Sequence, residues 1–242
     1  DSEFTWKGFQ DANNSELVNN LANFINRVIV LTNKYYEGVV PDFDESLHFE
    51  SPDVDGLPGF HDSELMALHD LLQEQGQHIR TYNFREALKV LMEISSRGNT
   101  LLQHNEPWKL IKEDEETVKV LMNLAVQYVA AIRVSCRPFL PFTSDKLSDL
   151  LGLPVLEEKD ELLILLDNLA EGFPILEAGH KLSEPIHLFS RIDDKTIEKQ
   201  REKLHEMSFA DDKSKSKETE KSKHVGFDDF VKLDLKTATI IA

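Results

Sequence analysis

Leu17-Val18-Asn19-Asn20-Leu21-Ala22-Asn23-Phe24-Ile25-Asn26-Arg27-Val28-Ile29-Val30-Leu31-Thr32-Asn33-Lys34-Tyr35-Tyr36, residues 17–36, is the stretch that decides the fold. Leu17, Leu21, Phe24, Ile25, Val28, Leu31 and Tyr35 return at the period of an amphipathic helix, and the spacing predicts a helix over about 13–36 that Gly38 and Pro41 end. An apolar stripe this long is buried only against other helices, so helices are sought on both sides of it.

They are present. After a loop over 39–60 rich in Pro, Gly and Asp, Asp62 or Ser63 caps a second helix carrying Leu65, Leu68, Leu72 and Ile79. Phe84, Ala87, Leu88, Leu91, Ser95 and Leu102 mark a third that reaches Asn105, where Pro107 blocks continuation. A fourth runs over 114–137 with Val118, Leu121, Ala125, Tyr128, Val129 and Ile132 inward; Asp114, Glu115 and Glu116 suit the positive end of its dipole. Shorter helices are expected over 143–151 and 161–170, an extended stretch over 183–192, and a charged helix over 193–207. The fold class is therefore all-α, an antiparallel helical bundle with a C-terminal extension. Residues 211–224 contain no apolar side chain and cannot repay the entropy of ordering. The domain reading is 1–207 helical, 208–224 a flexible charged linker, and 225–242 the opening strand region of a second, incomplete domain. A chain that opens on Asp1 and stops within Thr237-Ala238-Thr239-Ile240-Ile241 reads as a piece of a longer protein.

Composition narrows the function. The 242 residues carry 27 Lys and Arg against 44 Asp and Glu, a net charge of −17, and so large a negative field opposes coating of nucleic acid or anionic membrane by bulk attraction. A polyanionic partner must be met by a local patch. Without a membrane-length apolar run or signal segment, the expected location is cytoplasmic and no membrane partner is expected. The one cysteine, Cys136, excludes an internal disulfide and a Cys-rich zinc site, and its place at the end of an apolar helix suits a packed, inert thiol. Phosphate-loop, nucleophile-elbow, dinucleotide and His-Glu-x-x-His motifs are all missing, the nine histidines are scattered, and paired acids such as Glu157-Glu158 signify little among 44. No catalytic residue and no metal ligand is assigned.

One segment departs from this acidic background. Residues 17–36 hold no Asp or Glu, yet carry Arg27, Lys34 and Asn19, Asn20, Asn23, Asn26 and Asn33. On a regular helix Asn20, Asn23, Arg27 and Lys34 form one polar ledge beside the apolar stripe. Amides in a helix need a partner. They either cap neighbouring elements or, with Asn23 and Arg27 projecting side by side one turn apart, read a base edge. A second oddity is Glu106-Pro107-Trp108-Lys109, with Lys112 nearby. Trp108 is either a staple on the adjacent helix or a platform on which an unstacked base rests while the lysines meet phosphates.

Asn13-Asn14-Ser15-Glu16-Leu17 with Asn19, Asn23 and Arg27, then Pro107-Trp108, then Arg137-Pro138-x-x-Pro141, resembles in order and spacing the C-terminal anticodon-binding region of the methionyl-tRNA synthetases, a class I synthetase type of helical bundle, over about 1–205. The resemblance implies that Trp108 stacks on the first base of the CAU anticodon, that Asn23 and Arg27 contact that base and the neighbouring backbone, and that Pro107 sets the turn presenting the indole. Asn20, Lys34, Lys109 and Lys112 would be supporting RNA contacts. Pro185 to Ile192 looks like the family's return segment, and Phe227-Asp228-Asp229-Phe230 like the opening of an appended oligonucleotide-binding barrel. The partners implied are methionine tRNA and an upstream catalytic domain of the same chain; ATP and zinc belong to that absent domain, so no cofactor is expected in this piece, which is inactive by itself and monomeric, while dimerisation of the parent ligase would run through the cut barrel. Lys213-Ser214-Lys215-Ser216-Lys217 imitates the family's catalytic loop but lacks its Met and is given no role. The competing class is a helical protein-interaction or scaffold module in which Trp108 and the asparagines are structural.

Overall fold

A computed structural model describes residues 4–43, 60–155 and 174–215. The first helix begins earlier than its apolar stripe suggests. Thr5 caps α1 (Trp6–Ala12) by accepting from the Gly8 amide, and the backbone continues without a break through a π-wound stretch, Asn13–Ala22, into α2 (Asn23–Tyr36). Over the π-wound stretch the ladder closes wider rings; the Asn23 amide, for instance, reaches back to the Val18 carbonyl. Left-handed Glu37 (φ 54°) and Gly38 (φ 74°) end α2. At Gly38 a Cβ would lie 2.7 Å from Asn33 Oδ1, so the turn demands glycine twice over.

The rest of the bundle follows the sequence pattern closely: α3 (Phe60–Arg80), α4 (Phe84–Asn105), the single-turn α5 (Pro107–Leu110), α6 (Glu115–Cys136) and α7 (Pro141–Leu151). Asp114 caps α6 by accepting from the Thr117 amide at 3.0 Å, and the Thr117 hydroxyl, together with that amide, holds its carboxyl below the usual range. Every residue from Val120 to Cys136 is buried, so α6 is the central post against which α3, α4 and α7 pack. Among the described residues α6 is the one helix long and apolar enough to cross a bilayer, but its apolar surface is spent inside the bundle. Phe24, Ile25, Val28 and Ile29 enter the same core, with Phe24 edge-on to Tyr128 at 6.3 Å between ring centres.

Two polar devices tie loops to this core. Gln127, fully buried on α6, accepts from the Ile175 and Leu176 amides at 2.8 and 2.9 Å and donates to the Leu176 carbonyl at 2.9 Å. The turn after α2 pairs with the chain near residue 180 through Val40 N–H to His180 O (2.8 Å) and Leu182 N–H to Gly38 O (2.7 Å), an isolated antiparallel bridge.

Residues 183–192 are non-helical, and they run along the first helix. Lacking a strand partner, their backbone groups are met by side-chain amides. Asn14 pairs with Ile192 in both directions, accepting from its N–H and donating to its C=O at 2.9 Å each. Asn13 donates to Ser190 O at 3.2 Å and Asn33 to Ser183 O at 3.3 Å, while Asn19 accepts from the Arg191 guanidinium, a side-chain contact, at 2.6 Å. Much of the asparagine enrichment is thereby explained: these amides replace the ladder of a missing neighbour.

Residues 193–242 group separately from residues 1–192. There α8 (Asp194–Lys215) is charged along its length, and Asp193 caps it through the Thr196 amide at 2.8 Å. The helix runs past residue 208, so positions 208–215 are helical where the composition suggested the start of a linker. Opposite charges three residues apart support this helix, while Ile197 near its start is buried. The expected helix over 161–170, the remaining linker and the barrel segment 225–242 lie outside the described residues.

Candidate nucleic-acid interface

Glu106 makes the corner that presents Trp108. It takes a left-handed conformation (φ 40°, ψ 57°) while capping both the end of α4 and the start of α5, and Pro107 follows, buried, at the first helical position. Pro107 thus sets the start of the short helix while Glu106 supplies the bend. Trp108 emerges half-buried and packed on the edge of the core.

Over its ring lies Arg27, with the guanidinium carbon 4.9 Å from the ring centre. Asn23, one turn earlier on α2, is exposed and donates to Asn99 Oδ1 on α4 at 3.3 Å. It also borders a surface groove of about 390 Å³ shared by Val18, Asn19, Asn26 and the return segment Ile186–Phe189. The structure therefore brings Trp108, Arg27 and Asn23 to one side of the bundle, where α2 meets the end of α4. Arg27 and Trp108 do not line that groove; Asn23 is the member the two features share.

The four supporting residues divide. Asn20 lies beside Asn23, both meeting the Asn99 side chain, but its polar groups are spent inside the protein. Its amide donates to Met92 O (3.2 Å) and Ser96 Oγ (3.1 Å), and its carbonyl accepts from Ser95 (3.0 Å) and Asn99 (3.1 Å), which exhausts its capacity inside the protein. Lys109 is paired with Glu106 at 2.8 Å, so its charge is largely offset. Lys34 is exposed with its ammonium 4.9 Å from the Tyr35 ring centre, and Lys112 is exposed on the turn after α5. Asn99 is the residue that sequence reading missed. It lies 76 positions from Asn23, and no local spacing announces the pair.

No group of three or more His, Cys, Asp or Glu is arranged to hold a metal ion among the described residues. The most shifted titrating groups are structural. Burial, reinforced by the charge of Glu64, pushes the Tyr128 phenol far above its ordinary value; its hydroxyl donates to Glu64, which Arg97 clamps at 2.8 and 3.1 Å.

Residues 54–208 match the family described as the anticodon binding domain of methionyl tRNA ligase. The methionine–tRNA ligase of Flavobacterium psychrophilum is 41% identical over 241 residues, covering 100% of this chain and 32% of that protein. The corresponding ligase of Bacteroides fragilis is 35% identical over 241 residues, again 100% of this chain and 32% of the relative. Among solved structures, the free-state methionyl-tRNA synthetase of Mycobacterium tuberculosis superposes with a TM-score of 0.60 at 22% identity, covering 78% of this chain and 35% of that one. Its complex with methionyl-adenylate gives 0.57 at 21% identity, over 76% and 33%. The chain spans about a third of the length of these curated relatives. With 155 of its 242 residues inside the family match, and with a helical fold shared with a solved synthetase, the chain belongs to the anticodon-binding domain family of the methionyl-tRNA ligases.

Proposed function

We propose that residues 1–192 read the CAU anticodon of methionine tRNA for an ATP-dependent ligase whose catalytic domain, with its ATP and zinc, lies elsewhere in the same polypeptide. The observation that carries this reading is the stack of Arg27 on Trp108 with Asn23 one turn away. In the RNA-free state the guanidinium holds the place of a base. Its cation–π contact is worth ~0.5–1 kcal/mol at an exposed site, whereas a nucleobase on the indole gains ~1–3 kcal/mol. Exchange is favourable, because the displaced Arg27 keeps its charge and finds charge-assisted hydrogen bonds to the base or the adjacent phosphate. Asn23 meets the base edge, Lys34 and Lys112 meet phosphates, and Pro107 keeps the indole in place. Asn20 contributes indirectly, by fixing α2 to α4.

Trp108→Ala should weaken binding of a CAU anticodon stem-loop by about tenfold to a hundredfold, following the stacking energy, while Trp108→Phe retains much of it. Titration of the stem-loop into the protein, followed at the Trp108 indole N–H by NMR, checks the contact directly. An indole resonance that stays still at saturating RNA sinks the reading in favour of a scaffold whose Trp108 is a packing staple.

A further inference from the structure

The hydrogen bonds around Asn23 are directional, and their direction is forced from inside the protein. The amide nitrogen of Asn99 faces three acceptors: Asn20 O at 3.1 Å, Asn20 Oδ1 at 3.1 Å and its own helix's Ser95 O at 3.2 Å. Two of these are backbone carbonyls, which only accept, so the Asn99 side chain has one workable orientation. Asn20 is fixed in the same way, its amide nitrogen on the Met92 carbonyl and its oxygen receiving the Ser95 hydroxyl. The oxygen of Asn99 is therefore turned to Asn23, and Asn23 answers with its amide nitrogen. Of the two N–H groups of Asn23 one is taken by Asn99, while its carbonyl oxygen, on the other side of the amide, receives no hydrogen bond within the described residues. The amide is thereby held in one orientation, with its oxygen and nitrogen at set places rather than interchangeable.

We infer that Asn99 is a positioning residue that locks Asn23 as a hydrogen-bond acceptor, so that the site selects a base carrying an exocyclic amine over one carrying a carbonyl at that place. The inference rests on the proposed reading of the anticodon and deepens it. Cytosine offers the N4 amine as a donor, which an acceptor at Asn23 satisfies; uracil offers O4, which meets the Asn23 oxygen as one acceptor facing another. Arg27 carries donors alone and suits the ring acceptors of the same cytosine. Without the lock, Asn23 rotates about its terminal bond and serves either base. The specificity then resides in a residue that never touches RNA and that is itself bonded to the backbone carbonyls that set its sense.

The test measures the ratio of affinities of the complete polypeptide for two labelled anticodon stem-loops that differ only in C or U at the first anticodon position. The unaltered protein should favour the C loop by on the order of tenfold or more, the discrimination expected of a well-aligned base-edge contact. Asn99→Ala should bring the ratio close to parity. Asn99→Ser, which keeps a hydroxyl for the Ser95 carbonyl and so protects α4, should do the same if the alanine variant proves too unstable. Asn23→Asp in the Asn99→Ala background should restore the preference for C, because a carboxylate accepts from either side and has no orientation to lose, even though its charge lowers affinity for both loops. A purely structural role for Asn99 moves both affinities together, leaves the ratio intact and gives no rescue; that pattern, or a double variant that stays at parity, overturns the inference while leaving anticodon reading in place. An unaltered protein indifferent to C or U overturns the reading of the site itself, and this inference with it.

Discussion

Cys136 shows how far burial alone sets the chemistry of a residue. Its side chain is 0% exposed, its S–H points at the Arg133 carbonyl 3.5 Å away, and burial pushes the thiol up to about 12 from an ordinary value of 9.0. The nucleophilic thiolate is scarce at neutral pH, in keeping with the inert role its sequence position suggested. The same shift ties stability to pH. A thiol whose value is raised on folding contributes fully below about pH 9, and that contribution drains away at about 1.4 kcal/mol per unit as the pH climbs from there toward 12. Urea denaturation of the protein and of Cys136→Ala should therefore converge between about pH 8 and pH 11, the unaltered protein losing stability faster. Parallel curves would show that the thiol is not the group responsible. Asn20 teaches the opposite lesson, because its fate was hidden from its neighbours in sequence. Its partners Met92, Ser95, Ser96 and Asn99 stand more than 70 positions away, and no spacing within the first helix announces them.

Among the elements, α4 and α6 were legible almost to the residue, because apolar period, a capping Asp114 and the breakers Pro107 and Pro138 all agree there. The beginning of the first helix was not, since α1 carries Trp6, Phe9 and Gln10 where the regular stripe has yet to start. What cannot be read from either helix separately is how closely α2 and α4 approach. Gly98 sits in the middle of α4 directly under Phe24, and a Cβ there would fall 2.6–2.7 Å from two of its ring carbons. Gly98→Ala gains roughly 1 kcal/mol of helix propensity. It also forces the helices apart, a strain of about 1–3 kcal/mol that outweighs the gain. The variant should be less stable in chemical denaturation and, because Asn99 is the next residue, should lengthen the Asn99 to Asn23 contact and weaken binding of the CAU stem-loop. A stabilised variant would mean that Phe24 swings aside at little cost.

For the molecule as a whole the question is how a chain of net charge −17 holds a polyanion. Its average field repels RNA, and the cations the proposed site enlists are few: the half-buried Arg27 and the exposed Lys34 and Lys112, with Lys109 engaged by Glu106. Under the proposed reading of the anticodon, affinity depends on stacking and base-edge bonds more than on counterion release. With three or fewer phosphates neutralised, log K against log salt concentration should fall with a slope of about −2 or shallower for the single-stranded loop. A slope several times steeper, measured by anisotropy from low to moderate salt, would point to a basic surface beyond this site. The family resemblance carried by Asn23, Arg27, Trp108 and Arg137-Pro138-x-x-Pro141 was legible in the sequence, whereas the amides that hold the return segment became intelligible only once residues 183–192 were seen without a strand partner. One of those amides has a wider effect. By gripping Ile192 in both directions, Asn14 clips together two points 178 positions apart, so the first helix and the last residue of this unit form one seam. Loops between those points can grow or shrink without opening it.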